Sequence, residues 1–226
     1  MTPPTSAVVI FAAVAAWGQS LPLSPTSLKP HKVKIEQATY KGKQAIRVTD
    51  AMRPQAEGNE DRVAILLTDT SFRDGTIEAE VAEVAGEPGP GAFEGARGFV
   101  GVAFRVAPGV SKFECFYLRP TNGGADDQVR RNHSVQYISF PEYPWHRLRE
   151  ESPEKYESYT DLVPGQWTNV RIEVKGDRAR LFVNGAEEPT LIVNDLKLGA
   201  GTAGSIGVWI GPGTIAHFAN VRVSSR

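Results

Sequence analysis

The sequence predicts an all-β domain, a two-sheet antiparallel β-sandwich of jelly-roll topology, from three observations. Apolar residues recur with a period of two, turn residues interrupt the runs at short intervals, and no segment carries the periodic apolar stripe of a helix. The alternation is strict in Thr76-Ile77-Glu78-Ala79-Glu80-Val81 and in Asn169-Val170-Arg171-Ile172-Glu173-Val174-Lys175. It recurs in Lys32-Val33-Lys34-Ile35-Glu36 and, after a Lys41-Gly42-Lys43 turn, in Ala45-Ile46-Arg47-Val48. Further turn signals are Asp74-Gly75, Pro108-Gly109, Asn122-Gly123-Gly124, Pro164-Gly165, Lys175-Gly176-Asp177, Asn184-Gly185 and Gly211-Pro212-Gly213. Roughly ten strands fit this spacing, with 22 Gly and 16 Pro available for the turns between them. Residues 145–156 are charged and irregular, and are expected to form a loop or at most one helical turn.

The chain has 226 residues, within the size of one large all-β domain, so it can bury a sizeable core. Its 25 basic and 26 acidic residues leave a net charge of -1. That balance argues against a nucleic-acid partner and against a polybasic membrane binder. Cys115 is the single cysteine and lies in the largely apolar Phe113-Glu114-Cys115-Phe116-Tyr117, so it is expected to be buried and inert, with no disulfide in the fold.

Residues 7–17 form an uninterrupted apolar run, too short for the about 20 residues of a membrane-spanning helix. Ala16 and Gly18, small residues two apart, suit a cleavage site before Gln19. The expectation is a signal peptide over 1–18, a tether over 19–30 and one sandwich domain over 31–226. The mature protein would then be secreted or periplasmic, without membrane insertion.

Two kinds of sheet face can be distinguished. Opposite Val170, Ile172 and Val174, the residues Arg171, Glu173 and Lys175 form a solvated face. Residues 98–107 differ. Val100, Val102, Phe104 and Val106 make one face, whereas Phe99, Gly101, Ala103 and Arg105 make the other. Small residues between an aromatic ring and a cation leave room over the strand, as on the floor of a groove or beneath a covering loop. In the next strand Phe116 and Leu118 point inward, with Tyr117 and Arg119 on the groove side.

The C-terminal third carries a family pattern. Pro164-Gly165-Gln166-Trp167 enters the strand 168–175, and Ala179-Arg180-Leu181-Phe182-Val183-Asn184-Gly185 is its hairpin partner. Gly204-Ser205-Ile206-Gly207-Val208-Trp209-Ile210-Gly211 and His217-Phe218-Ala219-Asn220-Val221-Arg222-Val223 follow, with Trp167 and Phe218 as expected core anchors. This order resembles the end of laminin-G-like and 3-keto-disaccharide-hydrolase-like domains, which share the concanavalin-A-like jelly roll. The resemblance implies a carbohydrate-active domain that binds a saccharide and hydrolyses or eliminates a glycoside. The alternative is a non-catalytic glycan-binding or adhesion module of laminin-G-like type.

The densest polar segment, 119–133, joins two strands beside the small-residue floor. A sugar site needs planar polar side chains for paired hydroxyls and a ring for the apolar sugar face. Arg105, Tyr117, Arg119, Asn122, Asp127, Arg131, Tyr137 and Trp209 are the expected saccharide-binding residues, with Trp145 a further ring. His133 is the expected catalytic base, since histidine titrates nearest neutral pH. His217 reads as half-buried and structural, His146 as part of the irregular loop, and His31 as solvent-facing.

Glu78 and Glu80 share a strand face about 7 Å apart at the backbone, within the about 6.5–9.5 Å of an inverting carboxyl pair. The Glu-x-Asp-x-(x)-Glu signature of concanavalin-A-like glucanases is absent, so a solvated edge strand is expected there. Asp126, Asp127 and Asn122 offer oxygen atoms suited to calcium but lack EF-hand spacing, and no His/Cys cluster suits zinc. No cofactor is therefore expected.

Overall fold

The computed structural model describes residues 19–20, 23–52, 60–67, 71–84 and 97–225. The expected signal peptide lies outside them. In chain order the strands are β1 (Gln19–Ser20), β2 (Leu28–His31), β3 (Val33–Tyr40), β4 (Lys43–Asp50), β5 (Val63–Leu66), β6 (Gly75–Glu83), β7 (Val100–Val106), β8 (Phe113–Leu118), β9 (Val135–Phe140), β10 (Glu157–Ser158), β11 (Thr168–Lys175), β12 (Arg178–Val183), β13 (Leu191–Val193), β14 (Ser205–Ile210) and β15 (Ile215–Ser225). Three short helices interrupt them: α1 (Pro120–Gly123), α2 (Gln128–Asn132) and α3 (Trp145–Glu151).

The strands make the expected sandwich. The first sheet runs β13-β12-β11-β6-β15-β4-β3, with β1 also paired to β15, and the second runs β10-β9-β8-β7-β14-β5-β2. The hairpins follow the turn chemistry. Lys41 and Gly42 both take positive φ (45° and 79°), the primed turn that matches the strand twist between β3 and β4. Residues 28–30, within the expected tether, enter the sandwich: β2 pairs along β5, and Leu28 is buried.

The first sheet is buried on one face. Ile77, Ala79 and Val81 on β6 and Val170, Ile172 and Val174 on β11 join the core, and Glu78, Glu80, Arg171 and Glu173 alternate with them on the outside. β6 is central, flanked by β11 and β15, which corrects the edge strand expected there. Phe218 is the core anchor expected of it, fully buried. Trp167 is not; it is half-buried, edge-on to Tyr40 at 5.7 Å, and donates from Nε1 to the Tyr40 carbonyl at 3.3 Å.

The middle of the second sheet is buried on both faces. Every residue of β7 and β8 is buried, as are the first five of β9. Val102, Phe104, Phe116 and Tyr137 share the face turned to the first sheet. Glu114 and Tyr137 reach across to the backbone just after β13: Leu198 N–H donates to Glu114 at 2.7 Å and Lys197 N–H to the Tyr137 hydroxyl at 3.0 Å. The other face carries Gly101, Ala103, Cys115, Tyr117 and Trp209. Cys115 is fully buried, and burial drives its thiol well above the ordinary range.

One buried polar pair is an ion pair. Asp50 and Arg62, both almost completely buried, meet at 2.5 Å, and Asp50 also accepts from the N–H of Gly213 at 3.0 Å. Removing the cation strands a buried carboxylate, a loss of about 3–5 kcal/mol. Arg62→Ala should therefore lower the urea midpoint by that free energy with an unchanged slope, and a shift under about 1 kcal/mol would show the pair to be dispensable.

Candidate functional site

The space over Gly101 and Ala103 is filled by the protein's own rings. A Cβ on Gly101 would lie 2.3 Å from the Phe116 carbonyl and 2.6 Å from the Tyr117 Cβ, so the glycine is what lets β8 pack so closely. Tyr117 packs on Trp209 at 4.8 Å and on Phe99 at 5.5 Å between centroids, and the Trp209 Nε1 donates to the Glu60 carbonyl at 2.5 Å. Tyr117 and Trp209 are each 1% exposed. Of the two readings open for this face, the structure has the covered one.

Arg119 lies where this covered face meets the 119–133 connection. Its guanidinium stands 5.2 Å from the rings of Phe99 and Tyr117 and 5.7 Å from that of Trp145. Nη1 donates to the His133 carbonyl at 3.2 Å, and Nη2 to the Tyr117 hydroxyl at 2.9 Å and to Gln136 Oε1 at 3.1 Å. Its buried Nε has no hydrogen-bond partner among the described residues. Asn122 donates to the same His133 carbonyl at 3.2 Å. Arg119 and Asn122 thus fix the backbone that follows α2 and aim the imidazole.

The expected loop is two short helices, α1 started by Pro120 and α2 capped by Asp127. The Asp127 carboxylate accepts from the Arg130 N–H at 3.0 Å. Among the described residues no three His, Cys, Asp or Glu side chains are grouped to hold a metal ion.

His133 Nε2 faces Glu157 Oε1 at 3.3 Å. Glu157, buried on β10, is gripped through both oxygens by Arg149 of α3, at 3.0 and 2.6 Å. Arg119 Nη1 lies 3.9 Å from the same carboxylate. Burial holds the His133 pKa below its ordinary value; Glu157 opposes this, and the Arg149 and Arg119 charges reinforce it. The imidazole is neutral at pH 7, with its 18% exposed side chain the accessible end of the array. Nearby, burial pushes Glu60 up to about 7 against the pull of Arg119, so this carboxyl is part-protonated at neutral pH.

Of the expected site residues, Tyr117, Arg119, Asn122, His133 and Trp209 come together, and Arg131 and Asp127 lie on the rim. Arg131 rests on Tyr159, donating to its hydroxyl, with Asp161 at 3.7 Å. Arg105 and Tyr137 are elsewhere. Arg105, fully buried at the far end of β7, donates to the carbonyls of Arg73, Gly176 and Gly199 at 2.6–3.2 Å. Tyr137 is on the inner face, donating to Glu114.

Three contributors were not expected. Arg149 lies within the stretch taken for a loop and Glu157 directly follows it; that stretch contains the two-turn helix α3. Its only buried residue is Leu148, so it shows no apolar stripe. Glu60 sits in Asn59-Glu60-Asp61-Arg62, where no alternation marks it. Two histidines also differ from expectation or refine it. His31 ends β2 with Nε2 3.4 Å from Asp61, and His217 stacks on Tyr40 at 4.2 Å, burial and then Arg47 lowering its pKa to about 4.

The fold is that of a concanavalin-A-like jelly roll. Residues 27–224 match the 3-keto-alpha-glucoside-1,2-lyase-like domain family, and the chain belongs to it. Among solved structures it is similar to the carbohydrate binding module CBM66 from Bacillus subtilis, at 15% identity and TM-score 0.58, over 88% of this chain and 96% of that one. The cellulose-induced protein Cip1 aligns at 10% identity and TM-score 0.53, over 90% and 94%. A Bacillus subtilis protein of unknown function with a galectin-like fold aligns at 10% and TM-score 0.50, over 89% and 90%. No curated protein sequence matches the chain.

The Glu60 carboxyl makes a prediction about pH. Its folded pKa of about 7 lies above its ordinary 4.5, so the folded state holds the extra proton between those values. The stability this contributes is full below the lower value and is lost as pH rises through about 7. Glu60→Gln should leave the melting temperature near the parent's at pH 5 and raise it relative to the parent at pH 8. Parallel curves across that range would contradict a buried, titrating Glu60.

Proposed function

We propose that the chain binds a 3-keto-glucoside at the Arg119 end of the second sheet and cleaves it by elimination. The observation that carries this reading is the His133–Glu157–Arg149 array, with Arg119 3.9 Å from Glu157 and its charge also acting on a part-protonated Glu60. The 3-keto group acidifies the neighbouring C2–H. A neutral imidazole oriented by a carboxylate is suited to take that proton through its free nitrogen. The electron pair passes through an enolate, which the Arg119 charge stabilises, and forms the C1=C2 bond as the C1–O bond breaks. Glu60, with a pKa near the working pH, supplies the proton that the departing oxygen needs. The product is a conjugated enone. Asn122 and Gln136 position Arg119 and His133, with Arg131 and Asp127 on the rim where the remainder of the saccharide would extend.

The second reading, a glycan-binding module without turnover, is supported by the similarity in fold to a carbohydrate binding module. Incubation with methyl 3-keto-α-glucoside separates the two. The lyase reading expects release of methanol together with ultraviolet absorbance from the enone, and deuterium exchange at C2. His133→Ala should reduce both by about 10²–10⁴-fold, and Arg119→Lys should weaken binding by about 1.5–3 kcal/mol. Methanol without the enone would indicate hydrolysis, and binding without methanol the module. Unchanged turnover in folded His133→Ala removes this residue from the chemistry.

We also propose export, with cleavage before Gln19, supported by the apolar run over 7–17 and the small residues Ala16 and Gly18. Mass spectrometry of protein from the periplasm or medium should show Gln19 at the N-terminus. An intact Met1 form retained with membranes would refute this.

A further inference from the structure

A cavity of about 240 Å³ opens on the outer face of the first sheet, on the opposite side of the sandwich from His133. It lies over β6, β11, β12 and β15, and Glu78, Asn169, Arg171, Phe182, Asn220 and Arg222 carry its chemistry. The register sets Glu78 directly between two arginines, Arg171 on β11 and Arg222 on β15. Such neighbours commonly close a cross-strand ion pair. Here neither arginine closes one onto Glu78.

The neighbours on each side have contacts of their own. Arg171 donates to Glu173, and its guanidinium lies over the Phe182 ring, 3.7 Å from the centroid. On β15 the pairing with β6 shifts between Ala219 and Arg222, where Asn220 takes a positive φ of 51°. That bulge swings Asn220 onto Glu80, its Nδ2 donating at 2.6 Å, and Lys43 holds the other Glu80 oxygen at 2.7 Å. Arg171, Glu80 and Asn220 are therefore fixed by their own contacts. Among the described residues the side chains of Glu78 and Arg222 make no hydrogen bond or ion pair, so one acceptor and one donor are left facing a preformed cavity.

We propose that this cavity is a second saccharide-binding site, one that takes a neutral sugar ring through a vicinal diol. One hydroxyl donates to Glu78 and its neighbour accepts from Arg222, an arrangement that neither an anion nor a cation can satisfy as well. The two carboxylates and two guanidiniums of the lining cancel, so the site selects for polar geometry and not for charge. The Arg171 plane, stacked on Phe182, offers a flat wall to the sugar. The volume lies below the about 300–1,000 Å³ of pockets for larger ligands, which limits the occupant to about one ring of a chain. This site is independent of the chemistry proposed for His133. Its role would be to hold a glycan on the side of the domain away from that chemistry.

The test is a set of ¹H–¹⁵N NMR titrations of the full chain with the methyl glycosides of glucose, galactose, mannose and fructose, and separately with sodium sulfate. At least one glycoside should shift the signals of residues 78, 169, 171 and 222 together, and should do so equally in His133→Ala. Arg222→Ala and Glu78→Gln, whose spectra elsewhere report that they are folded, should each weaken that binding by about tenfold or more. The proposal is overturned if no glycoside moves these signals. It is equally overturned if sulfate moves them and the glycosides do not, if the shifts map only to the His133 side, or if both folded variants keep the parent affinity.

Discussion

The structure depends on one constraint: strands β7–β9 of the second sheet are buried on both faces, so the polar groups they carry need internal partners. An antiparallel sheet more commonly keeps one face in water. Here the covering of the outer face forces the arginines, glutamates and tyrosines of β7–β9 into fixed contacts. Arg105 satisfies three backbone carbonyls at one end of the sheet. Glu114 and Tyr137 tie the inner face to the chain after β13. Arg119 does the corresponding work at the other end, with three rings around it.

The same burial sets the electrostatics of the site. A carboxyl removed from water resists ionisation and an imidazole removed from water resists protonation. Glu60 and His133 are therefore displaced towards their neutral forms by one cause. Each is only partly compensated, Glu60 by the Arg119 charge and His133 by Glu157. One proton donor and one proton acceptor coexist at neutral pH because the site combines partial desolvation with a few fixed charges. Arg149 has a separate part: by gripping both Glu157 oxygens it holds in place the carboxylate that His133 faces.

How much of this the sequence disclosed follows from the same asymmetry. The first sheet has one wet face, so its strands alternate and were legible residue by residue, down to the turn at Lys41-Gly42. In the second sheet Arg105, Tyr117, Tyr137 and Trp209 have the composition of groove-lining residues. Periodicity cannot tell a polar group aimed at a ligand from one aimed at a buried carbonyl. The cluster of Arg119, Asn122 and His133 was legible because it lies within one connection. Glu157, Arg149 and Glu60 were not, because they reach His133 and Arg119 only through long-range folding. The helix that carries Arg149 has one buried residue, Leu148, and so no stripe to announce it. The central position of β6 was equally hidden, since alternation identifies a strand but not its neighbours.

The two outer faces use the same side-chain types to different ends, and solvent access separates them. On the second sheet Arg119 is enclosed by Phe99, Tyr117 and Trp145, where a charge acts through a poorly screened medium and can alter the proton affinity of its neighbours. On the first sheet Arg171 lies on Phe182 in a half-exposed setting, and Arg222 is exposed, where screening weakens any such influence. A guanidinium in the first setting is suited to stabilising charge that develops during a reaction. In the second it can offer direction and hydrogen bonds but little field. The sandwich thus has the physical means for chemistry on its covered side and for recognition on its open one, where Arg222 lies opposite Glu78 without closing onto it.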